Sequence, residues 1–390
     1  YTNEGGWVDS DKVRFRFGFP EKIGGWVKFS TNAYLGSARS LFSWVALDSS
    51  KFLSVGTSVK YYIVEGNTFE DITPIRKTTT GSATFSVADG FTVATVTDNT
   101  HGAVAGDFVT FSDAASLGGN VTAAVLNQEF EIQTVPTVNT YTINISATGN
   151  SSDSGNGGGS TVAKYQIDCG LDTQVGGTGW GAGTWGRSTW GSAADVTTEN
   201  ELALWSEDNF GEDLLLNLRD SAIYYWDQSG GVAARAVNLT SLPGASDTPT
   251  VSKQVMVSDN SRHVICFGAN TLGSAVQDPL LIRFSSSESL ADWTPTATNT
   301  AGDLRIGSGS KFVTALETKR EIMVFTDTSL HSMQFIGPPL TFAVNLINEG
   351  AGLIGPKAAV NTPNGVYFMS KNGFYYYNGA VKKLASSVQD

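Results

Sequence analysis

The sequence predicts an all-β fold, a β-propeller of about six blades that carries an inserted small all-β domain. A strand–turn–strand–turn–strand unit occurs five times, at residues 42–67, 203–230, 251–270, 312–337 and 358–384. Self-similar β units a few tens of residues long are typical of radial repeat folds. Glycine contributes 43 of 390 residues and charged residues only 16%, which favours short strands joined by tight turns.

Residues 1–77 are expected to form an N-terminal hairpin and the first propeller blade. Arg14, Phe15, Arg16 and Phe17 alternate, which places the arginines on one face of a strand and the aromatic rings on the other. An edge hairpin with solvated arginines is the simplest interpretation, and such a hairpin is also suited to completing a blade at the ring closure. The alternative is that Arg14 and Arg16 pair with carboxylates of a neighbouring subunit.

Residues 78–165 are expected to form the inserted β domain. The segment is rich in Thr, Val, Ala and Gly, and strand-like stretches occur at residues 83–98, 106–114, 129–136 and 139–146. Residues 121–129 are the best candidate for a short helix. The stretch at 150–160, NSSDSGNGGGS, has the composition of a flexible linker or a loop.

Residues 166–199 are expected to form a Gly/Trp-rich loop, and residues 200–390 the remaining blades. Trp180, Trp185 and Trp190 lie five residues apart, a spacing that suits neither one helix face nor one strand face. Exposed tryptophans are unfavourable unless something covers them. The three rings therefore either pack under their own propeller or are candidate subunit contacts.

Known catalytic and metal-binding patterns are not found in the sequence. The three histidines are isolated, and no nucleophile elbow, zinc-protease motif, P-loop or dinucleotide motif occurs. The four carboxylates of residues 206–213 lack the calcium-loop order, so a solvated hairpin tip is expected there. We therefore predict no enzyme activity, no cofactor and no metal, although a carboxylate pair assembled from separate blades stays open.

Charge and cysteine content restrict the class of protein further. The formal net charge of −12 disfavours non-specific nucleic-acid binding through a basic surface. Cys169 and Cys266 are expected to be buried free thiols, because two distant cysteines form no disulfide framework. No apolar stretch of about 18 residues occurs, which predicts no transmembrane helix.

Three segments resemble a known family: FRFGFPEKIGGW at 15–26, THGAVAGDFVTFSDA at 100–114 and TGWGAGTWGRSTWG at 178–191. They are similar to the tail nozzle or hub proteins, also called packaged-DNA stabilisation proteins, of short-tailed bacteriophages. The resemblance implies a structural virion protein, made in the host cytoplasm, that forms a ring of six copies below the portal and adaptor. The ring would continue the DNA channel, retain packaged DNA and allow its ejection.

The resemblance also implies partners and leaves two alternatives. The implied partners are the tail adaptor, the tail fibre or spike proteins, and double-stranded DNA as passing cargo that is not specifically bound. An acidic channel wall would let such a polyanion slide. One alternative is a carbohydrate-binding or carbohydrate-cleaving propeller used in host adhesion, and another is a monomeric interaction scaffold.

Overall fold

The computed structural model describes residues 11–25, 27–170 and 203–385, and these are nearly all β. The chain begins with an antiparallel hairpin of β1 (Val13–Arg16) and β2 (Phe19–Lys22). Sheet 1 follows, with β3 (Ala38–Val45), β4 (Lys51–Thr57), β5 (Tyr61–Glu65) and β6 (Thr68–Asp71). Each of its strands pairs antiparallel with the next in chain order, so sheet 1 is a four-stranded meander.

A seven-stranded sheet comes next along the chain. Its strands are β7 (Ile75–Thr80), β8 (Thr84–Val87), β9 (Val93–Thr97), β10 (Phe108–Ser112), β11 (Glu129–Thr137), β12 (Thr140–Asn144) and β13 (Val162–Gln166). Their spatial order is β7-β13-β10-β11-β12-β9-β8. The apolar side chains of β8 to β13 meet in one core that belongs to this sheet, among them Val109, Ile132, Tyr141 and Tyr165. The sheet therefore curls around its own interior.

Four further four-stranded meanders complete the chain. Sheet 2 contains β14 (Trp205–Phe210), β15 (Asp213–Leu218), β16 (Ile223–Trp226) and β17 (Val237–Asn238). Sheet 3 contains β18 (Gln254–Val257), β19 (Val264–Phe267), β20 (Leu281–Phe284) and β21 (Gly302–Arg305). Sheet 4 contains β22 (Phe312–Glu317), β23 (Ile322–Thr326), β24 (Ser329–Gly337) and β25 (Thr341–Glu349). Sheet 5 contains β26 (Ala359–Thr362), β27 (Gly365–Ser370), β28 (Gly373–Tyr377) and β29 (Val381–Lys383).

Helical structure is confined to three short segments of the described residues. The helix α1 (Ala123–Leu126) confirms the short helix predicted within residues 121–129. Two 3₁₀ turns lie at Gln228–Gly230 and Leu239–Ser241, each capped by the preceding Asp227 or Asn238 side chain.

Consecutive four-stranded sheets share hydrophobic cores because successive side chains of a strand point to opposite faces. In β15, Leu214 and Leu216 pack toward sheet 1, whereas Leu215 packs toward sheet 3. Phe267 of sheet 3 stacks on Phe312 of sheet 4, with ring centroids 5.0 Å apart. A fourth core joins sheets 4 and 5. The predicted repeat thus corresponds to five sheets joined by four cores, and a six-bladed ring is not shown.

A buried ion network ties the seven-stranded sheet to sheets 1 and 2. Lys60 Nζ lies 2.6 Å from both Asp71 Oδ2 of sheet 1 and Glu129 Oε2 of β11. Arg235, just before β17, places Nη1 2.8 Å from Asp71 Oδ1, and Gln166 Nε2 donates to Glu129 at 2.5 Å. Charges that are paired and hydrogen-bonded in this way hold one relative orientation of the elements that carry them.

The glycine-rich stretch at 150–160 is an ordered loop, so its interpretation as a flexible linker is wrong. The buried carboxylate of Asp153 accepts backbone N–H bonds from Gly119, Asn120, Val121 and Asn150, at 2.8–3.2 Å. Burial by itself would raise the pKa of Asp153, but these donors outweigh it and lower the pKa. The Asp153 side chain thus fixes the conformation of the loop, and the amino-acid composition of the stretch does not reveal this.

Candidate functional site

The first strands of the four-stranded sheets surround a cavity of about 250 Å³. Its wall contains Leu41 and Phe42 of β3, residues 204–208 around β14, residues 253–256 around β18, Thr314 of β22, and Pro356 and Lys357 before β26. All five sheets therefore contribute at their inner edge or immediately before it. Ligand sites tend to occur where several elements converge in this way.

Glu207 and Asp208 bring two carboxylates to this cavity from adjacent positions of β14. Asp208 Oδ2 accepts the backbone N–H of Val257 in β18 at 2.8 Å. Burial raises the pKa of Asp208 to about 6. Burial also raises the pKa of Glu207 to about 7, and the Lys357 ammonium opposes that shift only in part.

A third carboxylate with a raised pKa lies near the first two. Glu317 ends β22, and its Oε1 accepts the backbone N–H of Asp259 at 3.1 Å. Burial raises the pKa of Glu317 to about 7, and the carboxylates of Asp259 and Asp208 push it in the same direction. Like charges that face each other in a low-dielectric site favour proton uptake.

The acidic stretch at 206–213 was expected to be a solvated hairpin tip, and this is wrong for its first half. Glu207 and Asp208 lie inside β14, paired with Leu216 and Leu215 of β15. Only Gly211 and Glu212 form the turn between the two strands. The flanking Trp205 and Phe210 are the signal in the sequence that could have placed these carboxylates in a half-buried strand.

Basic side chains line the same cavity beside the carboxylates. Arg219 Nη1 donates to the backbone oxygen of Val313 at 3.1 Å, which ties sheet 2 to sheet 4. Lys253 Nζ pairs with Asp220 at 2.9 Å. The cavity wall thus combines two carboxyl groups whose pKa burial raises with basic side chains.

The histidines and cysteines have structural surroundings. His101, His263 and His331 are buried, and burial lowers the pKa of each, which favours the neutral ring. Cys169 and Cys266 are buried free thiols whose pKa burial raises. Among residues 11–25, 27–170 and 203–385, no group of three or more potential ligands could hold a metal ion.

The predicted subunit-contact residues separate into two groups. Arg14 is exposed and pairs with Glu21 of its own hairpin, Nη2 to Oε2 at 3.0 Å. Arg16 is also exposed, and its guanidinium lies 5.4 Å from the ring centroid of Phe17. Trp180, Trp185 and Trp190 lie outside the described residues. Contact with a neighbouring subunit stays a prediction for all five residues.

The N-terminal segment exposes large apolar side chains in and after the β1–β2 hairpin. Phe17 is 88% exposed and Phe19 is 74% exposed. Val27 and Phe29 continue the exposed series toward sheet 1. Contiguous apolar surface of this kind usually marks a binding surface.

No protein-family model and no curated protein matches the chain. Among solved structures, the chain is similar to the phage phi92 endosialidase at a TM-score of 0.26 and 12% sequence identity. The match covers 90% of this chain and 55% of that chain, so this chain spans about half the length of the endosialidase. The similarity is weak, and a TM-score this low does not establish a shared fold. Among the described residues, no helix is long and apolar enough to cross a membrane.

Proposed function

We propose that this chain is a structural virion protein of a short-tailed phage, a subunit of the ring that forms the tail nozzle or hub. The observation that carries the proposal is the exposed apolar surface of residues 17–25 and 27–29, where Phe17, Phe19, Val27 and Phe29 all face solvent in the single chain. Burying such side chains in an assembly is strongly favourable. The resemblance of three sequence segments to tail nozzle proteins supports the same assignment.

The architecture supports a role as a rigid building block. We interpret the five meanders as propeller blades, because their first strands converge on one cavity and consecutive sheets share cores. The network of Lys60, Asp71, Glu129 and Arg235 holds the seven-stranded sheet against this array. A subunit with fixed internal geometry can repeat one contact at a constant angle, which a closed ring requires.

The proposed ring has six copies, docks on the tail adaptor and on fibre or spike proteins, and surrounds double-stranded DNA as passing cargo. The chain carries a net charge of −12, and an acidic wall repels phosphates instead of binding them. In this role the protein retains packaged DNA and releases it without catalysis. A channel ringed by Lys and Arg would refute the sliding argument.

Mass in solution followed by electron microscopy tests the ring. Light scattering on the purified full chain should give about six times 41.3 kDa. Averaged images should show a central hole on the order of 20 Å or more, the width that a duplex needs. A protein that stays monomeric, both alone and with its portal–adaptor complex, would refute the proposal.

The central cavity favours a second candidate function, a carbohydrate-binding or carbohydrate-cleaving propeller. A carboxyl group with a raised pKa suits a general acid, and burial raises the pKa of Glu207 in the cavity wall to about 7. The test is a glycan-binding screen together with an assay for released reducing ends, on the wild type and on Glu207→Gln. Activity that the variant loses would establish this function, and no glycan bound or cleaved would exclude it.

A further inference from the structure

Among the described residues, the array of five sheets has two ends. Sheet 1 packs one face on sheet 2 through Trp44 and Phe52. On its other face β4 and β5 carry a small buried cluster of their own, whereas Leu41 and Val45 of β3 are exposed. Leu47, just after β3, is 91% exposed. Among the described residues, sheet 2 is the one four-stranded sheet with which sheet 1 shares a core, so sheet 1 is an end of the array.

Sheet 5 is the other end. Val366 and Phe368 pack toward sheet 4, whereas Val360, Tyr367 and Phe374 are exposed. Sheets 1 and 5 share no core among the described residues. They nevertheless border the same cavity, because Leu41 of sheet 1 and Lys357 at the entry to sheet 5 both line it. Two apolar sheet faces therefore flank one opening.

The β1–β2 hairpin carries a matching apolar surface. Within the described residues, β1 and β2 pair only with each other. A two-stranded hairpin is at best marginally stable in water by itself. Phe17 and Phe19 project from its turn and second strand into solvent. Both the hairpin and the opening therefore leave apolar surface to be covered.

Residues 30–34, which follow the hairpin, are anchored on sheet 1. Ser30 Oγ donates to the backbone oxygen of Asn67 at 2.8 Å, and the Tyr34 ring lies 5.2 Å from the Phe69 ring on the outer side of sheet 1. Residues 27–29, between the hairpin and this anchor, are exposed. The chain that follows the hairpin is thus tethered to sheet 1.

We propose that the β1–β2 hairpin of one copy inserts between sheet 5 and sheet 1 of a second copy and fills the gap between these two sheets. The inference rests on the proposed ring and names the contact that builds it. Hairpin and opening are different surfaces, so the contact is head-to-tail and extends from copy to copy until a ring closes. Hydrophobic burial of Phe17 and Phe19 against Val45 and Val360 drives it.

Charge favours a second copy of this chain as the occupant. The hairpin region 11–22 carries four basic and two acidic side chains in a chain whose net charge is −12. Exposed Asp48 lies in the β3–β4 turn and exposed Glu65 ends β5, so both lie at one end of sheet 1. Opposite charges at the rim of an interface steer association and fix its register.

A mixing experiment tests the head-to-tail contact on the full chain. Phe17→Ser/Phe19→Ser removes the hairpin surface, and Val45→Asp/Val360→Asp removes the opening. Each double variant should be monomeric by light scattering, with association weakened roughly 100-fold or more, because aromatic anchors dominate interface energetics. Mixed together, the two variants should form a dimer and nothing larger, because one functional hairpin meets one functional opening.

The controls separate this inference from the proposed function. Phe91→Ser removes an exposed phenylalanine of the segment between β8 and β9 and should leave the ring intact. A wild-type ring that persists in Phe17→Ser/Phe19→Ser would overturn the hairpin contact and leave the ring standing. A wild type that is monomeric under all conditions would overturn both.

A disulfide test distinguishes exchange between copies from insertion within one chain. Phe17→Cys/Val360→Cys adds two exposed thiols to a chain whose own cysteines are buried. Oxidation should give covalent multimers on a denaturing gel. A disulfide that forms only within single chains would overturn the proposal, because the hairpin would then occupy its own opening.

Discussion

Replacing Lys60 by methionine should destabilise the folded chain strongly, because Lys60 is the central cation of the buried ion network. Its side chain is 2% exposed, and its Nζ lies 2.6 Å from one oxygen each of Asp71 and Glu129. The ammonium also lies 4.5 Å from the ring centroid of Phe108. Methionine keeps an unbranched apolar stem, so the substitution removes chiefly the charge.

The expected magnitude follows from burial and from the remaining partner. Breaking a fully buried ion pair typically costs about 3–5 kcal/mol. Here the side chains of Asp71 and Glu129 are 19% and 31% exposed, and Arg235 still pairs with Asp71 at 2.8 Å. We therefore expect a loss of about 2–3 kcal/mol. At roughly 2 °C per kcal/mol, this corresponds to a Tm lower by about 4–6 °C.

The stability lost in Lys60→Met should depend on pH in a defined direction. Burial alone would raise the pKa of Asp71, but the charges of Lys60 and Arg235 outweigh it and lower the pKa. A carboxyl group with a lowered folded pKa contributes stability above its unfolded value of about 3.9, and this is lost as pH falls through the folded pKa. The difference between wild type and variant should therefore be largest near neutral pH and shrink below about pH 4.

Urea titration monitored by tryptophan fluorescence, with thermal melts across pH, measures both effects. Lys51→Met is the matched control, because Lys51 is an exposed lysine of β4 in the same sheet. It should change stability by no more than about 0.5 kcal/mol. A Lys60→Met variant as stable as Lys51→Met, or a loss that is independent of pH, would refute the reasoning.

Glu207→Gln should raise the Tm at pH 8 more than at pH 5. Burial raises the pKa of Glu207 to about 7, so the buried carboxylate increasingly destabilises the folded state as pH rises from about 4 to 7. Equal increases in Tm at the two pH values would contradict this. Asp153→Ala should expose the loop around it to proteases, whereas Asp89→Ala at an exposed turn should not, as limited proteolysis with mass spectrometry would reveal. Phe312→Ala should lower the unfolding free energy by about 3–5 kcal/mol in urea titrations, because Phe312 is fully buried between sheets 3 and 4. The exposed Phe91→Ala is its control, and similar losses would disprove the inter-sheet core.

The repeat was readable from the sequence because each meander is local. Strand β23 and strand β24, for example, are joined by a tight turn, and their apolar runs are contiguous in the chain. Local pairing of this kind leaves a regular pattern of apolar stretches and turn residues. The number of sheets in a closed ring cannot be read from the sequence in this way. It depends on the angle between packed sheets and not on any single segment.

The candidate site was hidden from sequence reasoning for a related reason. Glu207 and Asp208 look like turn carboxylates in the chain, and only the packing of β14 against β18 half-buries them and raises their pKa. Glu317 joins them from a distant position along the chain. Residues more than a hundred positions apart can lie close together in space without any local sequence pattern that shows it.

The amino-acid sequence by itself determined the all-β class, the five repeated meanders and the position of the short helix, because strand alternation and turn chemistry act over a few residues. Tertiary structure alone decided the strand order of the curled seven-stranded sheet and the meeting of Lys60, Asp71, Glu129 and Arg235. It also decided which sheets share a core, and among the described residues sheets 5 and 1 do not. These features arise from how whole sheets pack, since burial and charge pairing act between residues that the chain itself keeps far apart.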